Sequence, residues 1–174
     1  MPMILVTPLS AVEATIRDYR PSHLITLLSP EYMIETPEGV LSERHLRLGV
    51  HDVTETMESE HPPGAHHIGS LLEFGRGWSA DAPMLVHCWA GVSRSTAAAY
   101  ILLCDRLGAG CETEVARLLR ARAPHASPNS LMVRIADEAL ARRGRMIAAI
   151  ESIGRGTMVA EGERVELPLT LRMP

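Results

Sequence analysis

Short apolar runs alternate with longer amphipathic ones along most of this chain. Residues 3–6 (MILV) read as a first strand, and Ser10 stands where the cap of a following helix belongs. In that helix Val12, Ile16 and Tyr19 share one face. Residues 23–28 (HLITLL) form a second, buried strand that Ser29-Pro30 ends, and residues 31–42, with Pro37 and Gly39, read as a loop. Residues 45–48 form a short third strand. Residues 49–63 (GVHDVTETMESEHPP) make a long acidic loop, of a length that in a compact domain is usually functional or disordered. Ile68, Leu71, Leu72 and Phe74 then mark a helix, and residues 83–87 (PMLVH) a short continuous apolar strand of the kind buried in parallel sheets.

After Arg94 comes a small-residue helix, with Gly108 near its end. Residues 112–123 and 130–143 predict two more helices, separated at Pro124 and at the Pro128-Asn129 turn. From Gly154 the tail carries a Glu-Gly-Glu turn between two short β-like runs, and reads as a hairpin or an appended segment. No internal repeat or low-complexity linker interrupts the pattern. Strands alternating with helices predict an α/β fold: a mostly parallel central sheet flanked by helices, with ligand loops at the carboxyl ends of the strands. A chain of 174 residues fits a single domain, residues 1–174.

Composition sharpens this reading. Hydrophobic residues make up 46% and aromatics only 3%, so the core must be built from Leu, Ile, Val, Met and Ala. A formal net charge of -4 argues against a nucleic-acid binder and against a polybasic membrane clamp. Three cysteines are no disulfide framework and suggest a reducing compartment. The N-terminus lacks the pattern of a signal peptide, and no apolar stretch is long enough to span a bilayer, so a cytoplasmic location is expected.

The candidate chemistry lies between the apolar strand and the small-residue helix, in His87-Cys88-Trp89-Ala90-Gly91-Val92-Ser93-Arg94-Ser95. A loop of this length can curl until its backbone N–H groups converge on one anion, and the helix start adds its positive end. Gly91 permits a backbone angle that other residues resist. Arg94 offers a planar fork that matches two phosphate oxygens. The same field favours the ionised sulfur of Cys88, the form that attacks, and the Ser95 hydroxyl adds to it. Attack on phosphorus would give a phosphocysteine and divide hydrolysis into two steps.

This segment closely resembles the HC-x5-R-S signature of cysteine-dependent protein-tyrosine and dual-specificity phosphatases, in the HCxAGxSRS form of the dual-specificity branch. Cys88 resembles the family's nucleophile, Arg94 its phosphate clamp, and Ser95 the residue that stabilises the departing thiolate. Trp89, Ala90, Gly91, Val92 and Ser93 line the loop that would hold the substrate, and His87 supports it. The resemblance also implies a general acid, an Asp on a loop some distance before the cysteine. Asp52 stands 36 residues upstream (88 − 52), with Glu55 and Glu58 as alternatives on the same loop. Ser127-Pro128-Asn129 resembles the opening of a late helix in the dual-specificity branch, where Asn129 would cap the helix and support the loop.

The expected function is therefore a phosphomonoester hydrolase of an atypical, bacterial-like kind, acting on a phosphorylated protein or a small phosphomonoester. The alternative is a catalytically weak phospho-binding pseudophosphatase. No Lys or Arg lies between Cys88 and Arg94, against a highly anionic inositide, and no tyrosine-bearing recognition loop stands out. Cys104 and Cys111 read as small buried residues, and His51, His61, His66 and His67 as a solvated cluster. No cofactor and no metal is expected.

Overall fold

A computed structural model of the chain describes residues 2–171. Five strands, β1 (Met3–Pro8), β2 (His23–Leu28), β3 (His45–Gly49), β4 (Met84–Cys88) and β5 (Val165–Pro168), form one sheet in the order β3-β2-β4-β1-β5. The first four run parallel, and β5 runs antiparallel to β1. The strand that leads into Cys88 is thus the middle one, and all five of its residues are buried.

Alternation along the strands divides the core. Ile4, Val6, Ile25, Leu27, Met84 and Val86 face a large layer made by α2 (Ala65–Gly77), α3 (Arg94–Leu107), α4 (Glu112–Arg122), α5 (Ser130–Ala139) and α6 (Arg145–Ser152). Leu5, Leu24 and Leu85 point the other way, onto Val12 and Ile16 of α1 (Val12–Tyr19). Helix α3 runs from the end of β4 through the middle of the larger layer, with Ala97, Ala98 and Ala99 all buried. Alanines let this helix lie close to its neighbours. A larger side chain there would overpack the layer, at about 1–3 kcal/mol.

The strand expected over residues 3–6 runs on to Pro8, and those over 23–28, 45–48 and 83–87 appear within a residue of their expected bounds. Two details differ. Ser10 does not cap α1; a short 3-10 turn (Leu9–Ala11) precedes it, and the Ser10 hydroxyl donates to the Glu161 carboxylate. The helix expected over 130–143 stops at Ala139, because Ala141, Arg143 and Gly144 adopt positive φ, and a further helix, α6, begins beyond it at Arg145. Asp137 makes the break stable: its carboxylate accepts from the N–H of Gly144 at 2.7 Å and of Met146 at 2.8 Å, capping α6. Of the two readings of the tail, the appended segment fits: among the described residues it carries one strand, β5, which pairs with β1, whose edge offers unpaired backbone groups that a four-residue strand can satisfy.

Candidate active site

Residues 89–93 connect the end of β4 to the start of α3, and their carbonyls are held from outside. Trp89 O accepts from Leu9 N at 3.1 Å, Ala90 O from Gly162 N at 2.8 Å, Val92 O from Ser127 N at 3.0 Å and Ser93 O from Asn129 N at 3.1 Å. The Thr96 hydroxyl adds a second bond to Val92 O at 2.6 Å. A trans peptide points its C=O and the following N–H in opposite directions. Carbonyls pinned outward therefore turn the N–H groups of Ala90, Gly91, Ser93 and Arg94 toward the inside of the turn. Among the described residues, these N–H groups donate to no other backbone group. Gly91 makes the curl possible: its φ is +70°, and a Cβ there would lie 2.7 Å from Pro8 N and 2.8 Å from Thr7 C.

Cys88 and Ser95 meet in this cup. The sulfur lies 3.1 Å from the Ser95 hydroxyl, which is placed to donate to it, and both side chains are buried. Arg94 reaches under the loop to Val50, whose carbonyl accepts from Nη1 at 2.9 Å. Val50 is itself held by Leu28 O at the end of β2. The guanidinium is buried, yet its Nε has no acceptor among the described residues. A buried charged donor left unpaired costs at least ~1–3 kcal/mol, so this arrangement suits an anion that completes it.

The Ser93 hydroxyl donates to Asp52 Oδ1 at 2.7 Å, and Asn129 Nδ2 donates to the same oxygen at 2.9 Å. Asn129 works at both ends: its Oδ1 accepts from Met132 N and caps α5, while Nδ2 also reaches Val53 O. The structure thus brings Asp52 to the rim of the loop. Glu55 turns away to Arg134 at 3.4 Å, and Glu58 lies exposed in a turn of the same segment.

Beneath the loop, His87 belongs to a polar chain that crosses the sheet. Its Nδ1 lies 3.4 Å from Cys88 O, which can only accept, so Nδ1 carries the proton and Nε2 is an acceptor. The Thr26 hydroxyl, 2.7 Å from that Nε2, must donate to it and accept from His45 Nε2 at 2.8 Å. His45 Nδ1 is then left to accept from Thr36 at 2.9 Å. Burial drives both imidazoles down to about 4, so the chain is neutral and runs one way, from Thr36 to the Cys88 carbonyl.

Several of these partners are not legible in the sequence. Thr26, Thr36 and His45 are ordinary strand and loop residues until the sheet stacks them. Tyr32, which the sequence did not single out, also stands at the site. It stands 5.3 Å from Trp89, centroid to centroid, and the two exposed rings, with Leu28, Ser29 and Arg94, border a pocket of about 290 Å³. The acidic-loop histidines form pairs. His51 and His61 meet edge to face at 5.3 Å, and His66 lies 3.7 Å from His67. Among the described residues no three metal-ligating side chains gather.

No family model and no curated protein matches this sequence. Solved structures do. DUSP15 superposes with a TM-score of 0.60 at 20% identity, covering 90% of this chain and 96% of that one. PTPMT1, in complex with PI(5)P, gives 0.55 at 17% identity over 88% and 93% of the two chains, and Tk-PTP in its active form 0.55 at 17% over 80% and 90%. A mostly parallel five-stranded sheet whose middle strand delivers a cysteine into a loop ahead of a helix is thus the fold this chain shares with the cysteine-based tyrosine and dual-specificity phosphatases.

Proposed function

We propose that this protein is a phosphomonoester hydrolase, a single phosphatase domain that works through a phosphocysteine at Cys88. The observation that carries the reading is the outward pinning of four carbonyls around the buried Cys88–Ser95 pair, which aims the intervening N–H groups at one point. That point would hold the phosphoryl group, with Arg94 gripping two of its oxygens.

In the first step the Cys88 thiolate attacks phosphorus, the bond to the ester oxygen breaks, and Asp52 gives its proton to the leaving alcohol. In the second, water attacks the phosphocysteine and Asp52, now a carboxylate, takes a proton from it. The S–P bond breaks, phosphate leaves, and the Ser95 hydroxyl steadies the returning thiolate. The Tyr32–Trp89 pair beside Arg94 favours a flat aryl ester over an alkyl one. No cation stands between Cys88 and Arg94 to favour a multiply phosphorylated ring.

One observation favours the second reading, a phospho-binding module with weak chemistry. Asp52 Oδ1 already accepts two hydrogen bonds, from Ser93 and Asn129, which tie the side chain to the rim of the loop and away from a leaving group. Turnover of p-nitrophenyl phosphate separates the two. A phosphatase loses activity on the order of 10⁵-fold in Cys88→Ser, as a lost nucleophile typically does, and about 10²–10³-fold in Arg94→Ala. Asp52→Asn costs about 10²-fold on an ester with a poor leaving group. Wild-type protein that binds vanadate yet releases no nitrophenol would establish the binding module instead.

A further inference from the structure

Three segments, at Leu9, at Ser127–Asn129 and at Gly162, hold the four carbonyls of the phosphate loop from outside, and one of them is the tail. Gly162 N–H donates to Ala90 O at 2.8 Å. Gly162 also lies flat on His125: a Cβ at this position would come within 2.5 Å of the imidazole Nε2 and 3.1 Å of the Gly91 carbonyl oxygen. That φ is not left-handed, so contact rather than backbone conformation calls for glycine here. His125 is buried behind Gly91. Its Nε2 has no hydrogen bond among the described residues, and burial pulls the imidazole below its usual value against an opposing pull from the Gly91 carbonyl.

The rest of the tail fits the same surface. Gly156 N–H donates to Ser127 Oγ at 3.1 Å, and Ser127 N is the group that holds Val92 O. A Cβ on Gly156 would lie 2.4 Å from the His125 carbonyl carbon. Thr157 N reaches Pro124 O at 2.9 Å, and Arg120 joins Gly154 O and Pro124 O, each at 2.8 Å. Just before Gly162 the strap is fastened by the Ser10–Glu161 hydrogen bond, and beyond it by β5.

We propose that residues 154–164 are a strap that positions the phosphate loop, with Gly162 as its contact point. This rests on the reading of that loop as a phosphate cradle. By holding the Ala90 carbonyl outward, Gly162 aims the Gly91 N–H inward, and its bare α-carbon lets His125 back the loop at Gly91. Gly162 and His125 are positioning residues; neither touches the bound anion. A displaced strap frees the Ala90–Gly91 peptide to rotate, and one donor aimed at the oxyanion is lost while Cys88 and Arg94 stay in place.

The test compares Gly162→Val with Glu166→Gln, which removes the charge from the Tyr19–Glu166 contact on β5 and leaves the strap contact intact. Orthovanadate binding is measured by calorimetry, kcat and KM with p-nitrophenyl phosphate, and the folded fraction by circular dichroism. Gly162→Val should weaken vanadate binding and lower kcat/KM by about tenfold or more in folded protein, the scale of one misaimed oxyanion donor. Glu166→Gln should stay within about twofold of wild type, as surface changes do. Should Gly162→Val fail to fold, Gly162→Ala and Ser127→Ala are read in the same way, with losses of about threefold, a partial form of the same misaiming. Unchanged vanadate affinity in the folded Gly162 variants overturns the strap, as does an equal loss in Glu166→Gln. Wild-type protein that binds no vanadate overturns the cradle itself and the strap with it.

Discussion

Two arginines are almost equally buried in this molecule, Arg142 at 5% exposure and Arg94 at 6%, and their surroundings differ in kind. Arg142 donates to Glu112 Oε1 at 3.0 Å and to Cys104 O at 2.9 Å, so its charge is matched by a buried carboxylate. Arg94 has one carbonyl, no carboxylate within ion-pair distance among the described residues, and an Nε with no partner. The Arg142 site is closed electrostatically and ties α3, α4 and the α5–α6 turn together. The Arg94 site is open by one negative charge. A fold tolerates such a deficit where the missing charge arrives with a ligand, and this separates a structural arginine from the phosphate clamp proposed at Arg94 better than burial does.

The sharpest break in that comparison is a pair of substitutions. Arg142→Met leaves Glu112 buried without its closest partner and should cost about 3–5 kcal/mol in urea denaturation, with activity per folded molecule preserved. Arg94→Met removes an unsatisfied donor and should keep or raise stability while lowering turnover about 10²–10³-fold. Equal losses of stability in both variants would erase the distinction.

Acid probes the floor of the open site. His87 and His45 stay neutral in the fold down to about pH 4, whereas in the unfolded chain they take protons near pH 6.5. The unfolded state then binds more protons between those values, so stability is complete above about pH 6.5 and falls as pH drops toward 4. His87, fully buried, accounts for about 3 kcal/mol of that loss. His45, half-buried and within reach of solvent, adds less. Denaturation midpoints that stay level from pH 7 to 4.5 would mean the chain under Cys88 is not neutral.

The smallest effect belongs to the rim. Tyr32→Ala or Trp89→Ala should raise KM for an aryl phosphate about threefold to tenfold, the worth of one aromatic contact, and leave an alkyl phosphate unchanged. Equal shifts for both esters would remove the two rings from substrate recognition.

How far the sequence could be read follows from where the information lies along the chain. The apolar runs at 23–28 and 83–87, short and bounded by turn residues, read as buried strands, and the loop from Cys88 to Ser95 carries its meaning in consecutive residues. Both were legible because each rests on local spacing. Asp52 could be placed only as one of three acids on a long loop, since what brings it to the rim is Asn129, 77 residues away, and Ser93. The break at 140–144 was invisible because ordinary residues, Ala141 and Arg143, adopt positive φ there, held by the Asp137 cap. Tyr32, Thr26 and His45 carry no pattern of their own.

The sequence by itself determined the α/β alternation, the middle strand, and a cysteine and an arginine with five residues between them on one turn, because hydrophobic periodicity and the shape of a short loop act over a few residues. Only the tertiary structure decided which carbonyls turn outward, which arginine lacks a counter-charge, and that the tail lies against Ala90. Those outcomes depend on hydrogen bonds and close contacts between segments as far apart as residues 9, 90 and 162. Such contacts leave no periodic trace, since each needs only one N–H, or one missing Cβ, in the right place.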